Sequence, residues 1–143
     1  MTGRIKTLHL TTDLRDLACL ATWLEQLATD WHVPSSRLFG LNLALEEAVV
    51  NVMKYAYPSQ EGQPVTLVAE RHHAGISFVL DDQGIPFDPT QAAAPDVTLP
   101  ADQRPIGGLG ILLVRNYMSD VRYCRSDGHN RLTMYLSLQN LRQ

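Results

Sequence analysis

Two hairpin signals constrain the fold of this chain more than any other feature. "PVTLVAE" and "GISFVLDD" are strand-like runs separated by a turn near His73, Ala74 and Gly75, and "VRYCRS" and "NRLTMYLSL" flank Asp127 and Gly128. Strand runs joined by such tight turns lie side by side in antiparallel fashion. In the last run Leu132, Met134, Leu136 and Leu138 alternate on one face, so the sheet has an apolar side that other elements must cover.

The covering elements are legible as helical stripes. "KTLHLTT" reads as an opening strand, after which Thr11, Thr12 and Asp13 offer an N-cap. Apolar residues then recur at Leu14, Leu17, Ala21, Leu24, Ala28 and Trp31, a helical period. "HVPSS" breaks that helix, and Ser35 or Ser36 caps a second one that runs to about Tyr57, where Pro58 stops it. A third helix starts in "GGLGILLVRNYMSD". Thr90 to Pro105, with three prolines and no period, reads as a mobile loop. The order β-α-α-β-β-loop-α-β-β predicts an α/β sandwich (α+β), with a mixed, mostly antiparallel sheet and helices on one face.

Length and composition remove several function classes. A chain of 143 residues suits one domain, residues 1–143, and 45% hydrophobic with 19% charged residues is ordinary globular composition. A net charge of -3 leaves no electrostatic footprint for nucleic acid or an anionic membrane. "MTGRIKTLHL" lacks the apolar run of a signal peptide, and no stretch is apolar enough to span a bilayer, so the expected location is cytoplasmic. Cys19 and Cys124 lack metal-ligand spacing and read as reduced, partly buried thiols. His9, His32, His72, His73 and His129 are scattered, without a cysteine or carboxylate at ligand spacing.

Three short segments carry chemistry. In the second helix, at about 100° per residue, Leu38, Leu41, Leu45, Ala48, Val49, Val52 and Ala56 make the core face, and Glu47, Asn51 and Lys54 fall together opposite it. Those three suit either a solvated face with intrahelical pairs or a hard-cation site, since magnesium often takes one or two protein ligands when phosphates supply the rest. The solvated face is the commoner arrangement, but asparagine is a poor mid-helix residue, which weakens it. "LDDQGIPFDP" ends a strand on two acids, where a plain turn would not need Ile85 and Phe87. Asp81 and Asp82 point to opposite faces if the strand continues to them, and a solvated strand-end acid is the plain reading of Asp81. "IGGLGILL" places glycines just before a helix, where backbone N–H groups can approach an anion. It is neither a P-loop nor a Rossmann fingerprint, because no Gly-Lys-Ser/Thr and no third glycine follow.

In that order, "EEAVVNVMKYAYP", "DDQGIPFDP" and "GGLGILLVRNYMSDVRYCRSDGHNRLTMYL" resemble the N, G1 and G2 boxes of the Bergerat-fold ATPases. Within that superfamily the chain is most similar to the RsbW-like anti-sigma factor serine kinases. The resemblance implies an ATP site. Asp82, with Gly84, would accept the adenine amino group, with Thr133 supporting the contact and Ile85 and the glycine turn giving the ring room. Asn51 would hold Mg²⁺, Glu47 would act as general base, and Lys54 would neutralise phosphate charge. Gly107, Gly108, Leu109 and Gly110 would close over the triphosphate as the end of a lid formed by residues 90–105, with Arg104 more simply solvated. The implied activity is phosphorylation of a serine on a STAS-domain anti-anti-sigma protein, with sequestration of a sigma factor. The alternative is a nucleotide-gated interaction module without kinase activity. Homodimers are common in the family, and Trp23 and Trp31 of the first helix offer either a dimer surface or core packing.

Overall fold

The computed structural model describes residues 3–91 and 108–139. Five strands form one sheet: β1 (Ile5–Thr11), β2 (Pro64–Arg71), β3 (Gly75–Asp82), β4 (Asp120–Ser126) and β5 (His129–Ser137). Their spatial order is β1-β2-β3-β5-β4, and all four pairings are antiparallel. Among the described residues the sheet is therefore antiparallel throughout, where a mixed, mostly antiparallel one was expected. The chain returns from β1 through two helices and still enters β2 beside β1, so no parallel crossover arises.

Three helices complete the described layers: α1 (Leu17–Asp30), α2 (Ser35–Asn51) and α3 (Gly108–Tyr117). Register decides which sheet face they cover. Val65, Leu67 and Ala69 of β2 pair with Asp82, Leu80 and Phe78 of β3, and Phe78 and Leu80 pair with Met134 and Leu132 of β5. All of these are buried, whereas their alternate neighbours are only half-buried or exposed. One apolar face thus meets the helices and the other carries polar residues. The core closes with Leu20, Leu24 and Leu27 from α1, Leu41, Leu45 and Val49 from α2, and Ile111 and Val114 from α3.

Helix boundaries differ from the sequence expectation in informative ways. Asp13 does cap a turn, accepting from the Arg15 N–H, but that turn is a 3₁₀ segment, Leu14–Asp16, and α1 begins after it. Leu14 is consequently 66% exposed, and Leu20 and Leu27 take the buried positions. Ser35 and Ser36 do not cap α2: the N-cap position is Pro34, without a side-chain bond. Trp31 is buried, with its indole N–H donating to Gly3 O at 2.8 Å, and Trp23 packs partly against the core. Both cysteines are exposed, Cys19 on the outer side of α1 and Cys124 paired with Arg131 on the polar face of the edge strand. At the β4–β5 turn Asp127 and Gly128 both have positive φ, 53° and 78°, the type I′ arrangement that Asp-Gly favours.

Two close approaches set the helix layer. A Cβ on Gly40 of α2 would lie 2.2 Å from the Tyr117 ring, so glycine lets the end of α3 settle against α2. Beyond Asn51 the α2 hydrogen bonding widens into a π turn, Val52–Ala56, a feature often found at functional sites. The core position of Phe78, fully buried, gives a direct check: Phe78→Ala should lower unfolding free energy by about 3–5 kcal/mol. Phe39→Ala, at a residue 75% exposed, should change it by no more than about 0.5 kcal/mol. Urea unfolding of the two variants measures both.

Candidate functional site

The π turn and the turn after β3 are tied together. The Ile85 N–H donates to Ala56 O at 2.8 Å, and the Gln83 N–H donates to the Tyr57 hydroxyl at 2.7 Å, which itself donates to Pro64 O at 3.3 Å. A Cβ on Gly84 would sit 2.3 Å from Ala56 O. Gly84 is therefore required for backbone packing against the end of α2, not for room around a ligand. Ile85, expected beside the ligand, is 54% exposed. Phe87 and Pro89 line the cleft in its place.

That cleft, about 370 Å³ including its mouth, lies between α2, α3 and the ends of β3, β4 and β5. Ala48, Val52, Leu80, Ile111, Val114 and Leu132 make its apolar walls. Its polar groups are few: Asn51, Asp82, Asn130 and Tyr123. An apolar pocket with a few convergent polar groups suits a flat ligand with a polar edge.

Asp82 is the floor. Only 3% exposed, it accepts from the Gly84 N–H at 2.9 Å and from the Asn130 amide at 2.8 Å, both at Oδ1. Burial raises its pKa above the ordinary carboxylate value, against the opposing effects of those two donors and of Arg125. Arg125 itself bonds Gly84 O at 2.7 Å. Asp81, expected to be solvated, does point to the opposite face but is held there by His129 Nδ1 at 2.6 Å and Arg131 Nε at 2.7 Å.

Asn51 is 4% exposed and lines the cleft; among the described residues its amide has no hydrogen-bond partner. It does not share a solvated face with Lys54. Ala48, Asn51 and Val52 share one side of α2 by their i, i+3, i+4 spacing, and α3 covers it. Lys54 lies in the π turn, where each bond spans an extra residue and the helical phase slips, and it is exposed. Glu47, one turn before Asn51, is half-buried and is not among the cleft-lining side chains. A buried amide facing a cleft fits a hard cation that takes most of its ligands from phosphate. Among the described residues no cluster of three acidic, histidine or cysteine ligands exists.

Gly108, Leu109 and Gly110 form the first turn of α3, directly before the cleft-lining Ile111. Gly107, Arg104 and residues 92–105 of the expected lid lie outside the described residues. The start of that segment is anchored: Asp88 Oδ1 accepts from the Thr90 N–H at 2.8 Å, and Arg115 bonds Thr90 O at 3.1 Å.

Thr133 is displaced from the site by strand parity. It pairs with Val79 on the polar face of the sheet, whereas Asn130 pairs with Asp82 and faces the cleft. The sequence carried the signal for Asn130, which has the same parity as Leu132, Met134 and Leu136. Tyr55, also unanticipated, stacks on Phe87 with centroids 5.0 Å apart, and its hydroxyl is buried without a partner among the described residues.

An antiparallel sheet with helices on one face gives the class: the architecture of GHKL-type ATPase domains. The chain belongs to the histidine kinase-like ATPase domain family, whose model matches residues 10–136. It is 29% identical to the serine/threonine-protein kinase BtrW of Bordetella bronchiseptica over 134 residues, 94% of each chain. It is 24% identical to the serine-protein kinase RsbW of Bacillus cereus over 106 residues, 71% of this chain and 66% of that one. Among solved structures, the RsbU and RsbW domains of Rv1364c from Mycobacterium tuberculosis superpose with TM-score 0.62 at 14% identity, covering 92% of this chain and 33% of that one. A histidine kinase domain from Erythrobacter litoralis gives 0.52 at 14% identity, covering 83% and 61%. No helix among the described residues is long and apolar enough to cross a membrane.

Two outcomes follow from this geometry. Gly84→Ala should lower stability by about 1–3 kcal/mol, read as a lower urea midpoint, because the new methyl meets backbone. Asp82→Asn should raise the unfolding temperature of the ligand-free protein at neutral pH. A carboxyl whose folded pKa is raised favours the native state most below its unfolded pKa and loses that contribution as pH rises. The gain from the amide should therefore shrink as pH falls toward the acid range, which calorimetric scans at several pH values would show.

Proposed function

We propose that this chain binds ATP with Mg²⁺ and transfers the γ-phosphoryl group to a serine of a STAS-domain anti-anti-sigma protein, sequestering a sigma factor in its other state. The observation that supports this best is the convergence of buried Asp82 and buried Asn51 on one apolar cleft. The names of the BtrW and RsbW relatives supply the kinase class. Asp82 would read the exocyclic amino group of adenine, and the apolar walls would take the ring. Asn51 would hold the ion, which when bound supplies charge neutralisation at the phosphates. The amides of Gly108, Leu109 and Gly110 open α3 at its positive end, and with Gly107 they would face the triphosphate. Lys54, exposed in the π turn, would add charge near the phosphates.

In the transfer, the serine oxygen forms a bond to the γ-phosphorus while the bond to the β-bridging oxygen breaks. The serine proton passes to Glu47, and ADP leaves with the bridging oxygen. Such transfer needs positioning and electrostatics more than covalent chemistry. The protein would act in the cytoplasm, as a single domain that also forms homodimers.

A second reading, a nucleotide-gated interaction module without transfer, is favoured by the absence of Glu47 from the cleft wall. One set of measurements separates the two. Asn51→Ala should remove the magnesium dependence of ATP binding in calorimetry. Glu47→Gln should bind ATP as wild type does yet lose transfer to a STAS-domain substrate by about 10²-fold or more. Equal transfer rates in Glu47→Gln and wild type would remove Glu47 from the role of base, and no transfer by wild type to any STAS partner would favour the second reading.

A further inference from the structure

Asn130 is one of only four buried polar or charged side chains among the described residues, and all four of its amide's bonds are made within the rim of the cleft. Its Nδ2 donates to Asp82 Oδ1 at 2.8 Å and to Ile85 O at 2.9 Å. Its Oδ1 accepts from the Tyr123 hydroxyl at 2.5 Å and from the Phe87 N–H at 3.3 Å. This pattern fixes the orientation of the amide, because a flipped side chain would set its NH₂ against the Phe87 N–H and its oxygen against Asp82 Oδ1 and Ile85 O. Four segments meet on that one group: the end of β3, the turn after it, β4 and β5.

The consequence falls on Asp82. Both of its protein donors, the Gly84 N–H and the Asn130 amide, converge on Oδ1, and no described residue donates to Oδ2. We propose that Asn130 is a positioning residue for nucleobase choice: it holds the Asp82 carboxylate so that Oδ2 faces the cleft as an acceptor, selecting a purine with an exocyclic amino group over one with a carbonyl there. The inference rests on the nucleotide reading above and adds a residue that does not touch the base itself.

The logic is one of donors and acceptors. An ionised Oδ2 accepts from N–H₂ and repels a carbonyl oxygen, whereas a protonated Oδ2 would donate to the carbonyl and tolerate it. Two hydrogen bonds to Oδ1 favour the ionised form, and burial opposes it. The other charged and titratable groups around Asp82 are Arg125 and Tyr123 from β4, Tyr57 after the π turn, and Asp81, whose side chain leaves on the other face toward His129 and Arg131. From β2 the partner is the apolar Val65. Arg125 favours the carboxylate and Asp81 opposes it; burial keeps the net pKa raised, and the Asn130 amide is the largest of the effects that oppose burial. Tyr123 acts one step further out, by donating to the amide oxygen and so helping to hold the side chain in place.

The test compares ATP with inosine triphosphate, which carries a carbonyl where ATP carries the amino group. Calorimetry on wild type, Asn130→Leu and Tyr123→Phe would run from about pH 5 to about pH 8, with circular dichroism confirming the fold. Wild type should prefer ATP and lose that affinity on the acid side as Asp82 protonates. In Asn130→Leu the ATP preference should fall by about tenfold or more, and the acid edge of binding should move to higher pH. Tyr123→Phe, which removes one hydroxyl and leaves the packing in place, should move both in the same direction by less. If Asn130→Leu does not fold, Tyr123→Phe decides alone. Folded variants with wild-type preference and an unmoved acid edge would overturn the positioning role while leaving the nucleotide reading intact. An equal loss of affinity for both nucleotides with an unmoved edge would overturn it in favour of plain packing. A wild type that binds neither nucleotide would overturn both.

Discussion

The contact on which the rest depends is the backbone bond from the Ile85 N–H to Ala56 O, made possible because residue 84 has no side chain. It joins the end of the α2 segment to the turn leaving β3. Those pieces are about 30 residues apart in the chain, yet they carry the amide and the carboxylate that face one another across the cleft. The Tyr57 hydroxyl reinforces the joint by bonding the Gln83 N–H and Pro64 O. The π turn matters here for a mechanical reason. Widening the last turn after Asn51 re-aims Ala56 and Tyr57 without ending the helix at the point where the cleft needs an amide.

The site is also a place where stability is given up. A carboxylate that is 3% exposed loses water solvation, and two hydrogen bonds at one oxygen only partly offset that loss. Tyr55 keeps a buried hydroxyl unbonded among the described residues. Buried polar groups left open are costly in a folding domain and are expected where a ligand completes them. The opposite face of the sheet shows the contrast: Asp81, one residue away, is fully engaged by His129 and Arg131 and has no opening to a cleft.

Much of the architecture was legible because it depends on local chemistry. The alternation in the last strand, the Asp-Gly turn, the apolar arc of α2 and the stop near Pro58 all follow from period and backbone preference, and the structure keeps them. Asp82 lies in the cleft as the resemblance implied, whereas Asn51, which helical phase set opposite the core face, is buried there too. What failed was phase. Leu14 left the helical stripe because a 3₁₀ turn intervenes, and Lys54 left the face of Asn51 because a π turn does.

What the sequence determined by itself was therefore which segments are strands and helices, and which acid and amide stand at the business ends of β3 and α2. Only the tertiary structure decided who completes the site. Thr133 and Asn130 lie three residues apart on β5, and register with β3 alone sends one to the polar face and the other onto Asp82. Gly84 looked like room for a ligand and proved to be room for Ala56. Both outcomes rest on contacts between residues distant in the chain, and a local pattern holds no information about the distance at which two backbones will meet.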